Sequence, residues 1–107
     1  MSVITNNNLK STLALAALMD VYDPEIGLNI VDLGLVYQLD FDEEAKKLFC
    51  SMTLTTQFCP MGESIKSATA EKLSQTFSDY EVEIILTFDP PWDRSMISEE
   101  GRNFLNA

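Results

Sequence analysis

Apolar residues change their spacing repeatedly along the chain, and each change marks a predicted element. Residues 8–22 carry two helical stripes, Leu9, Leu13, Ala16 and Ala17 on one and Leu15, Leu18, Met19 and Tyr22 on the other. Few β-branched residues oppose a helix there, and the asparagines at 6, 7 and 8 supply an N-cap. Two stripes cover more of the circumference than one core face needs, so this helix is expected to touch a partner as well as the core. The spacing then drops to two. Leu35, Tyr37, Leu39 and Phe41 alternate with Val36, Gln38 and Asp40, and Leu48, Cys50, Met52 and Leu54 alternate with Phe49, Ser51, Thr53 and Thr55, which predicts strands over 35–42 and 48–55. The charged link 42–47 between them reads as a solvated hairpin loop. Residues 60–78 return to a helical period with Met61, Ile65, Ala68, Leu73 and Phe77 inward. A third strand over 81–89 puts Val82, Ile84, Leu86 and Phe88 on one face and stops at Pro90-Pro91, since neither proline can donate to a ladder. Ser98-Glu99-Glu100 opens a short last helix to Leu105.

The order α-β-β-α-β-α predicts an α+β fold: a two-layer α/β sandwich, with helices over a three-stranded mixed sheet, in a single domain spanning residues 1–107. The first two strands form a hairpin. The crossover through the second helix is expected to be right-handed, making the third strand parallel to the second; the pattern leaves the strand order open.

The most chemically suggestive stretch is Thr55-Thr56-Gln57-Phe58-Cys59-Pro60-Met61-Gly62, where strand pattern gives way to helix pattern. Pro60 suits the first turn of a helix, because its φ is already helical and its missing N–H would have lacked an intrahelical partner. That places Cys59 at or just before the N-cap, where unpaired N–H groups and the helix dipole favour a thiolate. A buried, inert cysteine is the competing reading, and it is the one expected for Cys50 on the apolar face of its strand.

Composition narrows the chemistry. With 17 acidic and 7 basic residues the chain carries a net charge of −10, which disfavours nucleic acid and anionic lipid as partners. It contains no histidine, so neither a Ser-His-Asp or Cys-His catalytic arrangement nor a histidine-based zinc site can be built. Two cysteines make no disulfide framework and point to a reducing, cytoplasmic setting. The opening residues lack the basic start and apolar run of a signal peptide, and the apolar run at 13–19 is too short to cross a bilayer.

Asp23-Pro24-Glu25-Ile26-Gly27, Asn29-Ile30-Val31-Asp32-Leu33-Gly34-Leu35-Val36-Tyr37, Met52-Thr53-Leu54-Thr55-Thr56 with Cys59-Pro60, and Asp89-Pro90-Pro91-Trp92 together resemble the SufT-like iron–sulfur cluster maturation family. That family is related to PaaD and to the eukaryotic cytosolic iron–sulfur targeting subunit, and the resemblance runs from about residue 8 to residue 105. It implies an iron–sulfur cluster assembly-like domain that is not an enzyme and that delivers or inserts clusters into apoproteins. Its functional residue is Cys59, with Asp23 and Glu25 at the same site, Thr55, Thr56 and Pro60 from the motif, and Trp92. The implied cargo is a transient iron–sulfur cluster or iron, and the implied partners are carrier or scaffold proteins and client apoproteins; a homodimer is expected on separate grounds, because the spare apolar surface of the first helix needs a cover. The cysteine-rich tail of a PaaD-type chain is absent from these residues.

The residues constrain that picture. A cluster takes several thiolates, commonly four, and this chain offers one candidate. Three arrangements follow: subunits pool Cys59 with carboxylates or external thiols, a client completes a transient site, or Cys59 only contacts a partner. Soft thiolate selects iron–sulfur, zinc or copper(I) over calcium. The side chains also have structural roles open to them: Asp23 capping a turn, Glu25 a solvated acid, Asp32 holding loop N–H groups, Trp92 a plug over the sheet end, and Arg94 a surface ion pair. Two rival functions remain, a thiol-based redox or transfer protein and an adaptor subunit of a PaaD-like oxygenase assembly.

Overall fold

The computed structural model describes residues 3–56, 58 and 60–106. The elements run β1 (Ile4–Thr5), α1 (Asn8–Leu18), β2 (Tyr22–Asp23), β3 (Leu28–Asn29), α2 (Ile30–Leu33), β4 (Val36–Asp42), β5 (Lys47–Met52), α3 (Gly62–Thr76), β6 (Glu81–Leu86), a 3-10 turn (Arg94–Met96) and α4 (Glu99–Leu105). The main sheet has the order β1-β4-β5-β6, and β2 and β3 form a separate ribbon. β4 and β5 are the antiparallel hairpin expected, and β6 returns parallel to β5.

The sheet therefore has four strands among the described residues, where the periodicity predicts three. The added strand is the two-residue β1, parallel to β4. Asn6 extends that pairing with its side chain: its Nδ2 donates to the Phe41 carbonyl and its Oδ1 accepts from the Phe41 N–H, both at 2.9 Å. β6 lies beside β5 at the far edge, away from β4.

One face of the sheet is covered. Leu39 and Phe41 of β4 and Leu48, Cys50 and Met52 of β5 are buried against Leu18 of α1 and Ile65 and Leu73 of α3. Beneath the hairpin Phe41, Phe77 and Tyr80 stack edge to face, with Phe41 and Phe77 centroids 5.4 Å apart. α1 ends at Leu18, four residues before the expected Tyr22, because Tyr22 and Asp23 pair with Asn29 and Leu28. In α3 the buried position is Thr69, not the expected Ala68, which is exposed. The Thr69 hydroxyl donates to the Ile65 carbonyl one turn back at 2.8 Å, so the residue enters the core with its polar group satisfied.

The alternation in β4 also breaks once. The register shifts between Val36 and Gln38, so Val36 joins Leu35 in the core and Tyr37 leaves the apolar face. The Tyr37 hydroxyl instead donates to the Pro90 carbonyl at 2.9 Å. α2 closes on Gly34 at φ +79°, and the Met96 carbonyl packs where a side chain at 34 would begin. That contact seats the C-terminal segment on the α2–β4 junction. No helix among the described residues is long and apolar enough to cross a membrane.

Candidate functional site

β5 delivers the chain to the central segment. Thr53 is fully buried and its N–H donates to the Leu35 carbonyl at 2.8 Å. Thr55 is half-buried and Thr56 exposed, and the Thr56 Oγ1 accepts from the Phe58 N–H at 3.2 Å. This is a local turn of the kind short hydroxyl side chains stabilise. Cys59 lies outside the described residues, as does Gln57, so the position predicted for the functional cysteine has no structural description.

Helix α3 begins at Gly62 with Met61 as cap, so exposed Pro60 stands in the turn ahead of the helix and not in its first turn, a correction to the predicted start. The first i to i−4 bond runs from the Ile65 N–H to the Met61 carbonyl at 3.0 Å. Met61 offers no side-chain acceptor, leaving the helix's first N–H groups without the usual cap partner. The absence of a side chain at Gly62 admits Leu54, whose Cδ1 lies 2.8 Å from where a Cβ would sit. Packing of the strand end against the helix start accounts for this residue.

Asp23 is 1% exposed. Its Oδ1 accepts from the Glu25 N–H at 2.9 Å, and its carbonyl accepts from the Gly27 N–H at 2.8 Å. The turn-capping role open to it from sequence is therefore present, and it explains the Pro24-Glu25 turn. Asp23 takes part in none of the ion pairs among the described residues, which join Lys10 to Glu43, Lys46 to Glu43 and Asp79, and Lys72 to Asp20. Glu25 is exposed.

The loop carrying Asp23 and Glu25 lies beside the start of α3. Tyr22 and Pro24 share a groove of about 390 Å³ with Ser64, Ile65 and Ala68, and Asp20, Glu71 and Lys72 also line it. The structure thus brings the Asp-Pro-Glu loop to the helix that follows the Thr55–Gly62 segment. Trp92 does not line that groove. Its Nε1 donates to the Leu33 carbonyl at 2.7 Å and its ring packs on the core, which makes it the plug foreseen as its structural role. Asp32 likewise belongs to the frame: its carboxylate accepts from Asn29 Nδ2 and from Ser98 Oγ, each at 2.7 Å. These are side-chain donors, not the loop N–H groups expected; the Asn29 bond is local to the start of α2, and the Ser98 bond ties α2 to α4. Arg94, expected to form a surface ion pair, forms none among the described residues.

Two surface aromatics escaped the sequence reading. Phe58, next to Cys59 in the chain, is 83% exposed, and Tyr22 is 56% exposed at the groove. Phe58 belonged to neither periodic stripe, which was the available signal; Tyr22 was hidden inside an overlong helix. Cys50 behaves as predicted. It is fully buried among Leu39, Ile84 and their neighbours, and burial pushes its thiol up to about 12. Among the described residues no three Cys, Asp or Glu side chains converge to hold a metal ion.

Comparison with known proteins agrees with the resemblance. The family model described as "Iron-sulfur cluster assembly protein" matches residues 13–84. The chain is 39% identical over 84 residues to the Fe-S protein maturation auxiliary factor SufT of Staphylococcus aureus, covering 77% of this chain and 92% of that one. It is 37% identical over 88 residues to the Fe-S protein maturation auxiliary factor YitW of Bacillus subtilis, covering 82% and 85%. Among solved structures, a domain of unknown function from Bacillus anthracis superposes with a TM-score of 0.83 at 32% identity, covering 94% of this chain and 98% of that chain. A conserved hypothetical protein from Thermotoga maritima superposes at 0.75 with 36% identity over the whole of both chains. On sequence and fold together, the chain belongs to the iron–sulfur cluster assembly protein family.

Proposed function

We propose that this chain is a cytoplasmic, non-enzymatic maturation factor that handles an iron–sulfur cluster, or iron, as cargo and uses Cys59 as its only sulfur ligand. The observation that carries this reading is the burial of Cys50. The chain has two cysteines and no histidine, and one of the two is sealed in the core with its thiol held protonated. Only Cys59 is left to supply a thiolate.

One thiolate falls well short of a cluster's usual set. The remaining ligands therefore come from outside the chain: a carrier that brings the cluster, a client that takes it, or a second copy. The Asp23–Glu25 loop lies beside α3, the helix that follows Cys59; buried Asp23 shapes the loop, and exposed Glu25 provides an oxygen ligand or a partner contact. Thr55, Thr56 and Pro60 set the path of the segment, and Trp92 acts by fixing the frame. The test is complementation. In cells lacking this protein, Cys59→Ser should fail to restore the activity of iron–sulfur enzymes, and Cys50→Ala should restore it. Full activity with Cys59→Ser would end the cysteine-centred account.

A second reading, an adaptor that works without its thiol, has one observation in its favour. Leu9 and Leu13 of α1 are 74% and 52% exposed on one side of the helix, as the doubled apolar stripe foretold. It predicts that partner binding survives Cys59→Ser and fails in Leu9→Glu/Leu13→Glu.

A further inference from the structure

Among the described residues strand β6 ends the main sheet, with β5 as its one neighbour. Its hydrogen-bonding phase follows from its two ends. The Glu81 N–H donates to the Lys46 carbonyl at 2.8 Å, and the N–H of Thr87, just beyond the strand, donates to the Met52 carbonyl at 2.9 Å. Both are odd-numbered, and along a strand the backbone groups alternate sides. Odd-numbered residues therefore face β5, and the N–H and C=O groups of Val82, Ile84 and Leu86 point out of the sheet edge, ready to pair with another strand.

The side chains divide the same way. Val82, Ile84 and Leu86 turn to the core and are half-buried, while Glu81, Glu83 and Ile85 stand on the uncovered face. Acidic residues on an edge also guard against self-pairing, and that alone would explain two glutamates. It does not explain their surroundings. Ile85 is 42% exposed, and beside it a recess of about 500 Å³ crosses the uncovered face, walled by Ile4, Tyr37, Ser51, Thr87 and Pro90. An open edge, an apolar recess and a row of carboxylates lie together.

We propose that β6 takes up an extended segment of a partner protein as a fifth strand, and that the segment alternates basic and apolar residues. Its basic side chains would lie on the uncovered face against Glu81 and Glu83, the aliphatic stem of the next one lying along the recess beside Ile85, and its apolar ones beside Val82, Ile84 and Leu86. Backbone pairing supplies the attachment and cross-strand charge pairing supplies the choice. The net charge of −10 makes a second copy of this chain a poor occupant, since it would bring its own glutamates to the edge. The proposal does not involve Cys59.

The probe is a capped hexapeptide of alternating lysine and valine, with alternating glutamate and valine as control, read by amide hydrogen exchange. The lysine peptide should slow exchange at Val82, Ile84 and Leu86 and leave Glu81, Glu83 and Ile85, already bonded to β5, unchanged; the glutamate peptide should do nothing. Ile84→Pro removes an outward N–H that no strand among the described residues uses and should abolish the protection. Glu81→Lys/Glu83→Lys, which alters only solvent-facing side chains, should weaken binding by roughly tenfold or more. The proposal is overturned if the lysine peptide leaves the even-numbered amides unprotected, or if they are protected without peptide in a manner that grows with protein concentration, which would mark self-pairing.

Discussion

Replacing Gly34 by alanine probes the tightest backbone approach at the α2–β4 junction. Gly34 has φ +79°, and a Cβ there would lie 2.3 Å from the Met96 carbonyl oxygen and 2.9 Å from the Met96 Cβ. Two penalties add. The left-handed backbone costs an L residue about 1 kcal/mol, and forcing the 94–98 segment away costs a further ~1–3 kcal/mol, the usual range for overpacking. Gly27 separates the two, having φ +81° with nothing within 4 Å of its Cβ position. Gly27→Ala should therefore lose about 1 kcal/mol and Gly34→Ala about 3 kcal/mol, a gap of roughly 2 kcal/mol. Urea unfolding followed by the fluorescence of Trp92, the single tryptophan, measures both, with equal slopes confirming that the unfolded states match. Equal losses in the two variants would refute the close approach, and with it the seating of the Met96–Ser98 turn that carries the Ser98 to Asp32 bond.

Other perturbations reach different parts of the account. Brief alkylation of the native protein should modify Cys59 and spare Cys50, whose thiol burial pushes up to about 12, while both react in urea; a native adduct on Cys50, located by mass spectrometry, would contradict its burial. Trp92→Phe strands the Leu33 carbonyl and should lower stability by about 1–3 kcal/mol in calorimetry, with loss of the indole bond as the cause. Leu73→Ala should lose about 2–5 kcal/mol, as a fully buried leucine does, whereas Ala68→Glu on the exposed side of the same helix should stay within about 0.5 kcal/mol. Glu43 is held below its ordinary 4.5, first by the Tyr80 hydroxyl and then by Lys10. The stabilisation from that cluster is therefore complete above 4.5 and lost as pH falls through the lowered value. Tyr80→Phe should move the Glu43 titration, followed by NMR, upward; no movement would remove the hydroxyl as its main cause.

The sequence was most legible where burial imposes a strict period. Leu48, Cys50, Met52 and Leu54 could be read as one core face because a half-buried strand has no other way to place them, and the parallel return of β6 followed from chain handedness rules. It was least legible where a distant partner decides. β1 has two residues and no pattern; it exists because Asn6 clamps the Phe41 backbone. α1 stops at Leu18 because the ribbon takes Tyr22 and Asp23, which propensity along 8–22 cannot reveal. Tyr37 follows the alternation in sequence and departs from it in space through a bulge. Thr69 enters the core by bonding its own helix, so a polar letter marks an apolar position.

The candidate site was legible as motifs and much less so as roles. The Asp-Pro-Glu loop and the helix after Cys59 do come together, and that juxtaposition depends on the ribbon folding back against α3. Trp92 and Asp32 carry motif positions yet serve the frame, because their hydrogen bonds join segments far apart in the chain. Phe58 had no periodic reason to be noticed. Its exposure beside Cys59 in the chain gives the segment an aromatic contact that the sequence offered only as an unclaimed letter.

Anaerobic reconstitution with iron and sulfide tests the central claim most directly, comparing wild type, Cys59→Ser and Cys50→Ala by visible absorption, iron and sulfide content and oligomer mass. The account predicts cluster on wild type and Cys50→Ala and none on Cys59→Ser, with a mass above that of one chain, or added small thiol, wherever the missing ligands are supplied. Cluster retained by Cys59→Ser, or lost from Cys50→Ala while that variant stays folded, would contradict the assignment of Cys59 as the chain's only sulfur ligand.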